Sequence, residues 1–275
     1  MKTRFVLGLG LTALLNTALG SLAVVGAIDA PVERTGNKTT ISSLRQDVEQ
    51  RPDDPEAHRL LGIALRRSGQ IGEAIPYLEQ AVELAPEDVS CLLSLSVGYS
   101  SGGNLEQAEA TYNRLLAVSP GHPKALNNLG NLAIRRGDEQ LAIELYRKAV
   151  EADGQYIAAR LRLASLLRFY GHYEEARGVL RKLVALEPST PQEQRAVFDG
   201  GYHLGAVELA LGNPEEAERI LSDALGKMPN HNMAHYARAQ ALMQLGRERE
   251  AEQELQTHMR LLELRPPAGP VATSR

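Results

Sequence analysis

Apolar residues recur along this chain on two scales. In GQIGEAIPYLEQAVELAP, residues 69–86, Ala74, Leu78 and Ala81 fall four and three apart. That spacing lays an apolar stripe along one face of a helix. On the larger scale the whole arrangement returns. Counting from Gly69, equivalent glycines stand at Gly103, Gly137, Gly171, Gly212 and Gly246, at intervals of 34, 34, 34, 41 and 34 residues. Five residues after each glycine is an alanine: Ala74, Ala108, Ala142, Ala176, Ala217 and Ala251. Nine after it is a large apolar group: Leu78, Tyr112, Tyr146, Leu180, Leu221 and Leu255. Upstream, eight residues before the glycine, are Leu61, Leu95, Leu129, Leu163 and Leu204, with Arg238 breaking the series. The residue after each is small: Gly62, Ser96, Gly130, Ala164, Gly205 and Ala239.

Each unit therefore predicts two helices. Helix A runs to the residue before the glycine, which supplies the turn. Helix B starts about three residues later and ends near Pro86, Pro120, Gly154, Pro188 or Pro229, because proline cannot continue a helix. Pro76 falls early in the first helix B, where a missing N–H costs little. The small residues mark close helix approach, and the large ones fill the space beside them. One such hairpin cannot bury its apolar face alone. Stacked hairpins can, and the expected fold is an all-α, right-handed α-solenoid of about six units with an N-terminal capping helix.

This scheme resembles the tetratricopeptide repeat family from Asp53 to about Leu264. RLLGIALRRSGQIGEAIPYLEQAVELAP and NNLGNLAIRRGDEQLAIELYRKAV follow that family's order of L-G, A, F/Y, A and P at its period. The expected units are about 55–88, 89–122, 123–156, 157–190, 191–231 and 232–265. Two departures stand out. The aromatic that the family places early in helix A is replaced by His58, Leu92, Leu126, Arg160, Gly201 and His235. Arg238 occupies a leucine position, which makes the sixth unit irregular. Pro52 lies 34 residues before Pro86, so Ile41 to Gln50 reads as a helix B without its helix A, a cap spanning about 41–52. The longer interval before Gly212 adds almost two helical turns, which keeps the same face inward. Thr190-Pro191-Gln192-Glu193 reads as a capping box with proline at the first helical position, predicting one long helix from Pro191 to about Leu211.

The N-terminus has a different pattern. Lys2 and Arg4 precede a run from Phe5 to Ile28 without a charge. Residues 1–27 read as a secretory signal, cleaved after Ala23 or Ala27, or as an uncleaved membrane anchor through residues 5–28. Both readings place the following chain on the non-cytoplasmic side, in a periplasmic or extracellular space. Residues 28–40 form a polar linker, and 266–275, rich in proline and glycine, a disordered tail.

Composition narrows the function. With 4% aromatic residues and no Trp, the chain lacks the makeup of a sheet protein. A net charge of -4 implies neither a basic polynucleotide-binding surface nor an acidic tail. The single Cys91 sits among apolar neighbours and reads as a buried, inert thiol. His231 and His235 are four apart, but no third ligand accompanies them, so they read as packing residues. Gly98-Tyr99-Ser100-Ser101-Gly102 spells a nucleophile elbow, yet it falls at the end of a helix A rather than between a strand and a helix. No cofactor motif, metal site or catalytic set emerges.

What remains is a surface. In the resembling family the A helices line a concave groove that holds peptides or helical segments of partners. The resemblance implies groove positions at Arg59, Ile63 and Arg66 in the first unit and Leu93 and Val97 in the second. Asn127 and Asn131 follow from the third, and Leu161, Ser165 and Arg168 from the fourth. Tyr202, Tyr236, Gln240 and Met243 complete the set. The chaperone-binding members use a two-carboxylate clamp of Lys, Arg and Asn, which Asn127, Asn131, Arg66 and Arg168 match only loosely. The expectation is an exported, non-catalytic scaffold for protein or peptide partners. The alternative is a membrane-anchored assembly factor that presents a client to an envelope or secretion machine.

Overall fold

The computed structural model describes residues 40–264. The signal or anchor reading, nearly all of the linker and the tail lie outside the described residues. Among those described there are thirteen helices and no strand. None of these helices is long and apolar enough to cross a membrane.

The repeat arithmetic becomes helix boundaries directly. A single helix α1, Ile41–Gln50, comes first. The A helices are α2 (Pro55–Arg67), α4 (Val89–Ser101), α6 (Pro123–Arg136), α8 (Ile157–Phe169), α10 (Pro191–Ala210) and α12 (Asn232–Gln244). The B helices are α3 (Ile71–Leu84), α5 (Leu105–Val118), α7 (Glu139–Ala152), α9 (Tyr173–Val184), α11 (Pro214–Lys227) and α13 (Glu248–Glu263). All six reference glycines have φ between 73° and 85°. That left-handed conformation carries a penalty for side-chain-bearing residues, so glycine is what turns helix A into helix B. In α10 the capping box forms in both directions between Thr190 and Glu193, with Pro191 at the start, and the helix runs for 20 residues.

The alanines five residues after each glycine are all fully buried. Leu78, Tyr112, Tyr146, Leu180 and Leu221 are 0–1% exposed. The small positions explain themselves by contact. A Cβ on Gly62 would lie 2.6 Å from Leu78, one on Gly130 2.6 Å from Tyr146, and one on Gly205 2.5 Å from Leu221. Each is a helix A glycine against the large residue of its own helix B. A Cβ on Gly98, the first glycine of the elbow-like motif, would lie 2.7 Å from Leu78 of the preceding repeat. The motif closes α4, with Gly102 as its C-cap, and Gly98 serves helix packing. At the N-terminal end, Leu44 of α1 is buried in one cluster with Leu61, Leu65 and Ala74.

Each B helix packs on its own A helix and on the next one. Backbones of successive A helices come within 8 Å of each other, whereas those of successive B helices do not. The closer-spaced row lies on the inside of a curved stack, so the A helices form the inner face.

The early helix A position, which lacks the family aromatic, has another role in three repeats. His58 Nε2 contacts the carbonyl of Pro52 and His235 Nε2 that of Pro229, both at 2.8 Å. Arg160 donates to the carbonyl of Gly154. In each case a polar side chain ties its helix to a carbonyl six residues upstream, in the turn between repeats. Arg238 is likewise accommodated. Its guanidinium bonds Glu218 of α11 at 2.7 Å and Glu254 of α13 at 2.6 Å, and Glu254 also contacts His235. The sixth repeat replaces an apolar contact by an ion-pair network of three helices.

Cys91 is 3% exposed near the start of α4. Burial, reinforced by Asp88, pushes its thiol up to about 12. A thiol raised in this way stays protonated at pH values where a free one ionises, and only the thiolate attacks. Native protein at pH 8.5 should therefore react with iodoacetamide at least about tenfold more slowly than protein in urea, read by mass spectrometry. Equal rates would contradict this burial.

Candidate functional site

The inner face is built from residues along the whole length of the A helices, from Arg59 near the start of α2 to Met243 near the end of α12. The structure sorts the fourteen sequence-derived positions into three groups. Two of them do not present a side chain. Val97 is 5% exposed and packs in the cluster that holds Leu95, Ala125 and Leu129, so the neighbouring A helix closes over it. Asn127 is 4% exposed, donates from Nδ2 to Asn128 Oδ1 at 3.2 Å, and leaves its Oδ1 buried without a partner. Both are corrections to the expected groove. Even helical register put them inward, but the spacing between neighbouring A helices buries them.

A second group is partly exposed but occupied. Arg59 holds Glu56 through two bonds of 2.7 Å and reaches Ser94 Oγ at 3.5 Å on the next A helix. Asn131 donates to Asn128 Oδ1 at 3.3 Å and accepts from Tyr146 at 2.8 Å. Burial pushes the Tyr146 phenol up to about 12, which keeps it a donor. Ile63, Leu93 and Leu161 are partly buried against the core clusters, and Arg66 is half-buried at the end of α2. Asn128, which joins Asn127 and Asn131, was missed by the sequence reading. The signal for it was the run NNLGN, whose second asparagine lies one position off the groove register.

The third group forms a cluster. Arg168 on α8 lies over the ring of Tyr202 on α10, with its guanidinium carbon 5.9 Å from the ring centroid. Tyr202 is 4.9 Å, ring to ring, from both His203 and His231. Ser165, one turn before Arg168, donates to the Leu161 carbonyl at 2.8 Å and contacts His203 Nε2 at 3.3 Å. The hydroxyl has one proton, already given to Leu161, so His203 donates from Nε2. Desolvation, with the nearby charges of Arg168 and His231, holds His203 down at about 3, so its ring is neutral. His231 caps α12 by accepting from the Ala234 N–H at 3.0 Å, and its Nε2 faces Asp199 at 3.4 Å. His235 contacts Glu254 through Nδ1 and the Pro229 carbonyl through Nε2. His203 was also missed by the sequence reading, because its helical position points between the expected groove residues. Farther along, Tyr236 packs on His258 at 5.3 Å, while Gln240 and Met243 are exposed.

This arrangement offers hydrogen bonds, an aromatic ring and a cation on a continuous helical face. Residue comparisons agree with the architecture. Models described as tetratricopeptide repeat match residues 55–88, 98–157, 133–197 and 208–261. A peroxisomal targeting signal receptor of Yarrowia lipolytica is 28% identical over 173 residues, 58% of this chain and 29% of that protein. The type IV pilus assembly protein PilF of Pseudomonas aeruginosa is 29% identical over 133 residues, 48% of this chain and 51% of that protein. The chain thus spans about half or less of these curated relatives. The crystal structure of YrrB, described as a TPR protein with an unusual peptide-binding site, superposes with a TM-score of 0.53 at 18% identity, covering 72% of this chain and 98% of that one. At that identity it speaks for the fold. The matched repeats, the glycine turns and the stacked hairpins together make this chain a member of the tetratricopeptide repeat family.

Proposed function

We propose that this protein is an exported, non-catalytic scaffold that holds a segment of a partner protein along the inner face of its A helices. The observation that carries the reading is the inner face itself. Arg168, Tyr202, Tyr236, Gln240 and Met243 keep exposed surface there, although packing alone would not require such residues. Tyrosine and methionine supply adaptable contact area, and arginine a directed charge. Export rests on the N-terminal pattern of Lys2, Arg4 and the uncharged run to Ile28. A second reading, a membrane-anchored assembly factor, is favoured by the length of that run and by the likeness to a protein named for pilus assembly. Fractionation with N-terminal sequencing of the mature protein separates the two.

The binding reading is tested by photo-crosslinking in the native host. A crosslinker at Gln240 or Met243 is expected to capture a defined partner at least about fivefold more efficiently than one at Glu144 or Arg219 on B helices. Charge reversal at Arg66 and Arg168 should weaken that capture while the helical signal stays intact. Equal capture from both faces would remove the inner face from the proposal.

A further inference from the structure

The B helix α13 is packed differently from the five before it. Each earlier B helix buries three or more side chains and carries the following A helix. Among the described residues no A helix follows α13, whose backbone comes within 8 Å of α12 alone, and it buries only Ala251. Leu255 stands at the position where Leu78, Tyr112, Tyr146, Leu180 and Leu221 are sealed, yet it stays partly exposed. Met259 beside it is 56% exposed.

The uncovered face carries an ordered set of charges. Arg249, Glu252, Gln256, Arg260 and Glu263 follow one another at steps of three, four, four and three residues, which places them on one stripe. All five are exposed. The four charged ones make no ion pair or side-chain hydrogen bond among the described residues. Elsewhere Arg177 holds Glu174 and Arg219 holds Glu216, each three residues away on its own helix.

The step order is a palindrome about Gln256, and the signs reverse across it. When a second α13 lies antiparallel to the first, with a two-fold axis at Gln256, Glu252 faces Arg260 and Arg249 faces Glu263. The symmetry makes each contact twice. In a parallel pair every charge would meet its own copy and repel it. A shallow groove runs along the stripe, lined by Glu252, Leu255, Gln256, Met259, Arg260 and Glu263. Leu255 and Met259 therefore border the contact and lose water when it forms. A terminal helix facing only water needs polar residues, but not in an order that complements itself on reversal. With 16 residues, α13 is about 24 Å long, so the contact belongs among small, reversible interfaces.

We propose that the outer face of α13 binds a second copy of this chain in an antiparallel, two-fold pair centred on Gln256. This goes beyond the scaffold reading and does not depend on it.

The test uses the full chain in its native host. Gln256→Cys places a thiol on the axis, next to its own copy, while the native Cys91 is buried. A short bis-maleimide is expected to join this variant to itself at least about fivefold more efficiently than Glu144→Cys on α7. In the Gln256→Cys background, Glu252→Arg or Arg260→Glu alone sets like charges against each other and should lower the yield about fivefold or more. Co-expressed under different tags, these two variants complement each other. Crosslinking between the tags should return to within about twofold of the parent, which also shows that both variants fold. The proposal is overturned if Gln256→Cys joins itself no better than Glu144→Cys, or joins a different protein instead. It is equally overturned if either charge variant pairs with itself as the parent does, or if co-expression restores nothing. Failure of Gln256→Cys to react with a monofunctional maleimide would place another segment of the same chain over this face and overturn it as well.

Discussion

Leu78→Ala is expected to lower the stability of the solenoid by about 4 kcal/mol, near the upper end for a buried leucine. Leu78 is fully buried and sits between glycines of two successive A helices. A Cβ on Gly62 would lie 2.6 Å from its Cγ and Cδ2, and one on Gly98 2.7 Å from its Cδ1. Truncation leaves a cavity with no neighbouring side chain at either glycine to fall into it. Only movement of whole helices could close the gap, and a site that relaxes poorly suffers most from truncation. The loss should also be local. Repeats touch only their neighbours, so hydrogen exchange ought to rise first in α2, α3 and α4 while α11 to α13 stay protected. Urea unfolding followed by exchange mass spectrometry checks both parts. A loss below about 1.5 kcal/mol, or one spread evenly over all thirteen helices, would contradict the wedge.

The second large effect runs against the family pattern. Arg238→Leu restores the residue type that the other five repeats carry, yet it is expected to destabilise the chain by about 2 kcal/mol. Glu218 and Glu254 are only 17% and 14% exposed and both bond to Arg238. Removing the cation leaves two partly desolvated carboxylates without their shared and nearest counter-charge, with only Arg247 at 3.8 Å left for Glu218 and His235 for Glu254. Breaking a fully buried pair this way costs about 3–5 kcal/mol, and the remaining exposure lowers the figure. Replacing the acids as well, with Glu218→Gln and Glu254→Gln, should recover at least half of the loss, since no under-compensated carboxylate remains. Thermal melts of the single and triple variants measure this. An Arg238→Leu protein as stable as the parent would mean that the network contributes nothing to the sixth repeat.

These two residues also mark how far the linear pattern reaches. Leu78 was legible because its role is set by spacing. A residue nine positions after a turn glycine must fall between the helices of its hairpin, whatever the rest of the chain does. The same holds for the alanines and for α10, whose capping box is a matter of four adjacent residues. Arg238 was legible only as a departure. Its partners are 20 and 16 residues away on two other helices, and nothing in the local sequence pairs them.

The inner face divides in the same way. Helical register, carried over from the family, picked out Ser165, Arg168 and Tyr202, and the structure gathers them with His203 and His231. Register could not show that Val97 and Asn127 are buried, because that depends on how closely one repeat rests on the next. Nor could it show that Asn128 would join two flanking asparagines or that a neutral His203 would sit beside the Arg168 cation.

By itself, then, the sequence determined the hairpin, its period, the turn glycines and the apolar interior, since these follow from interactions within about 34 residues repeated along the chain. The tertiary structure decided which inward-facing side chains remain open and how Arg59, Arg136 and Arg238 find their carboxylates. That choice rests on the approach between neighbouring repeats, a distance no single repeat encodes.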